Sequence, residues 1–82
     1  IHAGTLVGPT TSMALDVFTT EPHLQLYDGG SFAGPDTGLD GAHYGKHCGI
    51  CLEPQLYPDS PNHRHFTDTV LRPGETYRQL TE

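Results

Sequence analysis

Met13-Ala14-Leu15-Asp16-Val17-Phe18-Thr19-Thr20-Glu21-Pro22-His23-Leu24-Gln25-Leu26-Tyr27 holds two short runs in which apolar and polar side chains alternate. In the first run Met13, Leu15 and Val17 fall on one face. In the second, Leu24 and Leu26 stand opposite Gln25 and Tyr27. A period of two marks a half-buried β-strand, because successive side chains point to opposite faces of a sheet. Thr19 to Pro22 reads as a short connection or bulge between the two strands. No stretch carries a helical period, and Gly and Pro are spread too evenly to leave room for one.

The same pattern continues downstream. Asp28 to Gly45 is rich in Gly, Asp, Pro and Thr and reads as a long loop. Cys48 to Glu53 is a third strand, followed by Pro54 and the loop Tyr57-Pro58-Asp59-Ser60-Pro61-Asn62. Thr67 to Leu71 is a fourth strand, Arg72-Pro73-Gly74-Glu75 a turn, and Thr76 to Leu80 a fifth strand. The expected class is all-β, with strands at the spacing of a sandwich or barrel. Five short strands leave open edges, and the chain starts just before one strand and stops in another. Residues 1–82 are therefore expected to form one segment of a larger antiparallel β-structure rather than a complete domain.

Composition points the same way. Ile, Leu, Val and Phe number 17 of 82 residues, about 21%, just above the level of disordered chains. Ten Gly and seven Pro add little core, so a partner or a further stretch of chain is expected to cover the apolar residues. A formal charge of −6 repels phosphate backbones and anionic lipid, which argues against nucleic-acid binding and against membrane association. No apolar run approaches the roughly 20 residues needed to span a bilayer. Two cysteines are too few for a disulfide framework, which leans towards a reducing compartment, the cytoplasm.

Three stretches resemble the C-terminal signature of the aldose 1-epimerase (hexose mutarotase) family. Thr19-Thr20-Glu21-Pro22-His23-Leu24-Gln25-Leu26-Tyr27 is similar to the pattern T-T-E-P-G-v-Q-f-Y. The run from Cys51 to Asn62, Cys-Leu-Glu-Pro-Gln-Leu-Tyr-Pro-Asp-Ser-Pro-Asn, is similar to C-L-E-T-Q-h-f-P-D-S-P-N. Leu71-Arg72-Pro73-Gly74-Glu75-Thr76-Tyr77-Arg78 is similar to L-R-P-G-E-x-Y. The three occur in the family's order and span about Met13 to Thr81. The resemblance implies the C-terminal portion of a galactose-mutarotase-like antiparallel β-sandwich. It departs from the pattern at Pro54, where Thr is usual, at Asp28-Gly29-Gly30, where Thr-Gly-Asn is usual, and at Leu56.

Interconverting sugar anomers requires a base to take the C1 hydroxyl proton while an acid protonates the ring oxygen. By resemblance Glu53 is that catalytic base, at the end of an apolar strand where partial burial would raise its pKa. Gln25 matches a glutamine that binds sugar hydroxyls, which suits an amide able both to donate and to accept. Gln55 follows the base and is expected to bind substrate or orient Glu53. Phe32 in the long loop lies against the site or simply packs. The family's active-site histidines lie upstream of this segment, and none of His2, His23, His43, His47, His63 or His65 aligns with them.

A metal reading competes. His43, His47, Cys48 and Cys51 make an H-x3-H-C-x2-C spacing, and His63-Arg64-His65 adds a second pair. On a strand, however, residues three apart face opposite sides, so Cys48 and Cys51 would diverge. No metal and no cofactor is expected, since proton transfer between hydroxyls needs none. The expected function is an aldose 1-epimerase acting on a free hexose sugar, with the acid supplied from outside this chain. The alternative is a non-catalytic, split or remnant mutarotase-like subunit with a sugar-binding or structural role in a larger assembly.

Overall fold

The computed structural model describes residues 1–32 and 37–82. The described residues form two antiparallel ladders and two single turns of 3-10 helix, at Leu39–Gly41 and Ser60–Asn62. The all-β class and the antiparallel pairing are those the sequence implies. No helix among the described residues is long and apolar enough to cross a membrane.

Strand β1 (His2–Val7) pairs with β2 (Ala14–Phe18) from Val7↔Ala14 to His2↔Phe18, with a bulge between His2 and Gly4. A tight connection closes them: Gly8 N–H donates to Met13 O at 2.8 Å and Ser12 N–H to Gly8 O at 2.9 Å. Ser12 takes φ of 57° to make the turn. The facing pair Thr5 and Asp16 is tied through the Thr5 hydroxyl, and His2 Nε2 lies 3.2 Å from the same carboxylate oxygen. The Thr5 bond first, and the His2 bond second, hold the Asp16 carboxyl below its ordinary pKa.

The corner Thr19–Pro22 turns the chain from β2 into β3 (His23–Tyr27). Thr19 is buried and meets both ends of the chain. Its N–H donates to Ile1 O at 3.0 Å, and it bridges Thr81 on the other side. Phe18 and Glu82 exchange two backbone bonds of 2.9 Å, and Thr20 N–H donates to Leu80 O at 3.1 Å. Residues 80–82 thus run antiparallel along the corner. Tyr77 adds a long-range tie, its hydroxyl donating to the buried Glu21 Oε1 at 2.6 Å.

Strand β3 pairs with β4 (Cys51–Gln55) in the register His23↔Gln55, Leu24↔Pro54, Gln25↔Glu53, Leu26↔Leu52 and Tyr27↔Cys51. Beyond β4, Asp59 adopts φ of 61° and starts the 3-10 turn whose Ser60 is buried. That turn brings Tyr57 and Phe66 together at 4.9 Å between ring centroids, and His63 and His65 pack on Phe66.

Three strand expectations need correction, and one strand has no counterpart among them. The third strand begins at Cys51 rather than Cys48 and runs through Pro54 to Gln55. Thr67–Leu71 and Thr76–Leu80 form no strand, because no described segment offers them a ladder. Strand β1 was not anticipated. Gly4 interrupts its pattern, and it is ordered by pairing with β2 rather than by its own propensity. On the β2 face only Val17 is buried; Met13 stays 73% exposed and Leu15 53%.

The reason is that no second layer packs on this face among the described residues. The chain exposes 6683 Å², against about 4,800 Å² expected for a compact protein of this mass. Its radius of gyration is 16.7 Å, against roughly 12 Å for a compact chain of this length. Apolar faces exist, but little among the described residues covers them.

Candidate functional site

Directly opposed residues of an antiparallel ladder project to the same face of the sheet. The β3–β4 register therefore sorts the side chains into two sets. Leu24, Leu26, Leu52 and Pro54 share the apolar face. His23, Gln25, Tyr27, Cys51, Glu53 and Gln55 share the other. The three expected site residues are thus brought together on one face, with Gln25 directly across from Glu53 and Gln55 two residues along from it.

Pro54 explains the phase of this ladder. Proline has no N–H, so the pair Leu24↔Pro54 must be a non-hydrogen-bonded one, and Gln25↔Glu53 a bonded one. The nitrogen and carbonyl of Pro54 then point away from β3. Consistent with that, Pro54 O accepts from Gln79 Nε2 at 3.3 Å, on the outer side of β4. A proline beside Glu53 leaves the inner ladder whole, because the lost donor faces outward.

Glu53 is exposed, contrary to the partial burial expected of it; no described segment lies over this face. Gln25 is exposed and Gln55 half-buried. The Gln25 amide donates to Leu26 O at 3.1 Å, and its Oε1 lies 3.4 Å from His23 Nε2. An amide so held keeps one hydrogen and one lone pair free for a ligand. A carboxylate facing amides at strand spacing is a donor and acceptor set suited to a hydroxyl-rich molecule.

A cleft of about 690 Å³ lies beside this face, lined by Gln55 and by residues that include Leu56, Val70, Leu71 and Tyr77. Glu53 and Gln25 do not line it. The ladder, not the cleft, locates the candidate site, since it is the ladder that sets Gln25 against Glu53. Phe32 lines a smaller hollow with Tyr27, Tyr44 and Cys51, at the Tyr27 end of the ladder.

The loop that departs from the family pattern at Asp28-Gly29-Gly30 is stapled to its far side. Asp28 accepts from Gly30 N–H and meets His47 Nδ1, both at 2.9 Å, while Gly29 turns with φ of 75°. The Arg-Pro-Gly-Glu stretch makes the expected turn, with Glu75 N–H on Arg72 O at 3.0 Å and Gly74 at φ of 88°. Pro and Gly at its two central positions match a type II turn. Asp68 accepts from the Val70 N–H and from the Arg72 guanidinium, and in that order these bonds hold its carboxyl below the ordinary range. Cys48 and Cys51 are free thiols, and no three described His, Cys, Asp or Glu side chains are placed to hold a metal ion.

Antiparallel ladders carrying a carboxylate opposite a glutamine define a chain of all-β class with one polar sheet face. Comparison with known proteins fixes the family. The aldose 1-epimerase family matches residues 2–82, and the chain belongs to that family. It is 42% identical to bovine (Bos taurus) galactose mutarotase over 80 residues, 98% of this chain and 22% of that protein. It is 48% identical to mouse (Mus musculus) galactose mutarotase over 67 residues, 82% of this chain and 20% of that one. Aldose 1-epimerase of Escherichia coli strain K12 is 44% identical over 73 residues, 85% and 20% of the two chains. The chain spans about a fifth of the length of these relatives. No solved structure matches it significantly.

Proposed function

We propose that the polypeptide carrying this chain is an aldose 1-epimerase that interconverts the α and β anomers of a free hexose such as glucose or galactose. Glu53 is the general base and takes the proton of the C1 hydroxyl as the ring opens. Gln25 binds sugar hydroxyls from directly across the ladder, and Gln55 lies alongside to bind substrate or steer the carboxylate. The acid that protonates the ring oxygen comes from outside the 82 residues, on the polypeptide or subunit that covers this face. A cytoplasmic setting belongs to the same proposal.

The observation that carries the reading is the Gln25↔Glu53 pairing. Two residues 28 apart in sequence, each drawn from a separate family motif, meet on one face with their side chains side by side. Covering that face would also supply the desolvation that a carboxylate needs to act as a base near neutral pH.

The test is polarimetry of freshly dissolved α-D-glucose and α-D-galactose with the polypeptide as its source makes it. Glu53→Gln keeps the shape and removes the base, and is expected to lower the rate by at least about a hundredfold. Retention of the full rate by Glu53→Gln would exclude Glu53 as the base.

A further inference from the structure

The ladder face holds side chains that the proposed mechanism does not use, His23, Tyr27 and Cys51. His23 opens β3, lies opposite Gln55, and shares the face of Gln25 and Glu53. The family pattern writes glycine at this position, where no side chain projects at all. We propose that His23 is a specificity-determining residue, hydrogen-bonding a hexose hydroxyl on the side of the ring remote from the anomeric carbon. This rests on the reading of Glu53 as the base that serves that carbon.

Spacing carries the argument first. Gln25 faces Glu53 directly, whereas His23 stands diagonal to it, and diagonal neighbours in an antiparallel ladder lie roughly 7–8 Å apart. That is the span of a pyranose ring with its hydroxyls. A sugar whose C1 hydroxyl reaches Glu53 thus lays the opposite edge of its ring, around C4, towards the imidazole. At the other diagonal stands Tyr27, whose hydroxyl is already bonded to Ser31 in its own loop. The two ends of the face are therefore unequal: the Tyr27 hydroxyl is tied into its own loop, whereas His23 keeps a ring nitrogen, Nδ1, with no hydrogen-bond partner among the described residues.

The chemistry fits that role. With its proton on Nε2, the neutral imidazole donates towards Gln25 Oε1, 3.4 Å away, and leaves Nδ1 free to accept from a hydroxyl. The half-buried ring also packs against Tyr57, 5.5 Å between centroids and inclined at 55°. Tyr57 in turn rests on Phe66. The imidazole is thus braced from behind by the second motif's loop, which restricts how far it swings. Glucose and galactose differ only in the configuration at C4, so a fixed polar group there favours one over the other.

The experiment compares wild type, His23→Gly, His23→Gln and Glu53→Gln in the polypeptide as its source makes it, with D-glucose and D-galactose as substrates. Loss of one neutral hydrogen bond is worth about fivefold, so His23→Gly is expected to raise KM for the preferred sugar about fivefold and to flatten the preference, with kcat within about twofold. His23→Gln, which keeps a polar group and most of the bulk, is expected to retain part of the preference. This variant separates a lost contact from a lost fold. If both His23 variants keep the wild-type ratio of kcat/KM for the two sugars while Glu53→Gln is inactive, the base stands and the His23 inference is overturned. If wild type lacks mutarotation, or Glu53→Gln retains it, the reading of the site fails and this inference fails with it.

Discussion

Thr19→Val tests whether the corner between β2 and β3 is held by side-chain chemistry or only by the backbone. Thr19 is 3% exposed, and its hydroxyl does two things. It accepts from Glu21 N–H at 3.1 Å and lies 3.0 Å from the Thr81 hydroxyl. Valine keeps the β-branched shape, and with it the strand conformation, but offers no acceptor. The Glu21 N–H is then stranded at a buried corner, which costs about 1–3 kcal/mol, while the lost bond to the exposed Thr81 adds little. A loss of about 2 kcal/mol corresponds to roughly thirtyfold faster local opening. Amide hydrogen exchange reads it at Phe18, Thr20 and Glu82, whose acceptors lie across the junction between the corner and residues 80–82. The amides of Gly8 and Ser12, in the β1–β2 connection, serve as internal controls. Thr81→Val removes the hydroxyl pair and an exposed bond from Gln79 Nε2, strands no buried donor, and is expected to change exchange by less than about fivefold. The reasoning is refuted if Thr19→Val exchanges at the wild-type rate at all three amides, or if Thr81→Val costs as much.

Two further outcomes follow from the third motif. The hydrogen bond to Glu21 first, with desolvation and the negative charge of Glu21 behind it, raises the Tyr77 pKa above the ordinary phenol value of 10.0. A raised folded-state pKa stabilises the tie fully below the ordinary value, and the contribution is lost as pH rises through the raised one. Phenolate absorbance of the Tyr77→Phe difference sample is expected to show that late titration, and Glu21→Gln to bring it down; an unchanged titration in Glu21→Gln would contradict the assignment. Gly74→Ala meets no atom within 4 Å of the new methyl but must hold φ of 88°, so its cost of about 1 kcal/mol comes from the backbone alone. Exchange of the Glu75 amide about fivefold faster, with no change at Phe18, would fit that cost.

What was legible in the sequence follows from what local pattern encodes. Strands β2 and β3 appear in the alternation of Leu15, Val17, Leu24 and Leu26, and the Arg72–Glu75 turn in its Pro-Gly pair, because each depends on nearest neighbours. Thr67–Leu71 and Thr76–Leu80 carry strand-compatible residues such as Val70 and Tyr77 between turn signals, yet form no strand: composition marks a candidate strand but not the segment that would build a ladder with it. The boundary at Cys51 rather than Cys48, and the run through Pro54, depend on which backbone groups face β3, which only the register decides. The meeting of Gln25 and Glu53 was equally beyond spacing, and entered through the family motifs. His23 was passed over because it aligns with no family histidine. Its position two residues before Gln25 was the signal, since strand neighbours at i and i+2 share a face.

The lengths of the two connections bear on the order of assembly. Six residues separate β1 from β2, whereas 23 separate β3 from β4. By the logarithmic cost of loop closure, the second ladder gives up about 1.2 kcal/mol more chain entropy before its first contact forms. The hairpin of β1 and β2 is therefore the natural early nucleus, and the Gln25–Glu53 face comes together afterwards. The proposed site exists only once that costlier closure is made, so a chain that has formed the first hairpin alone holds Gln25 and Glu53 without yet setting them side by side.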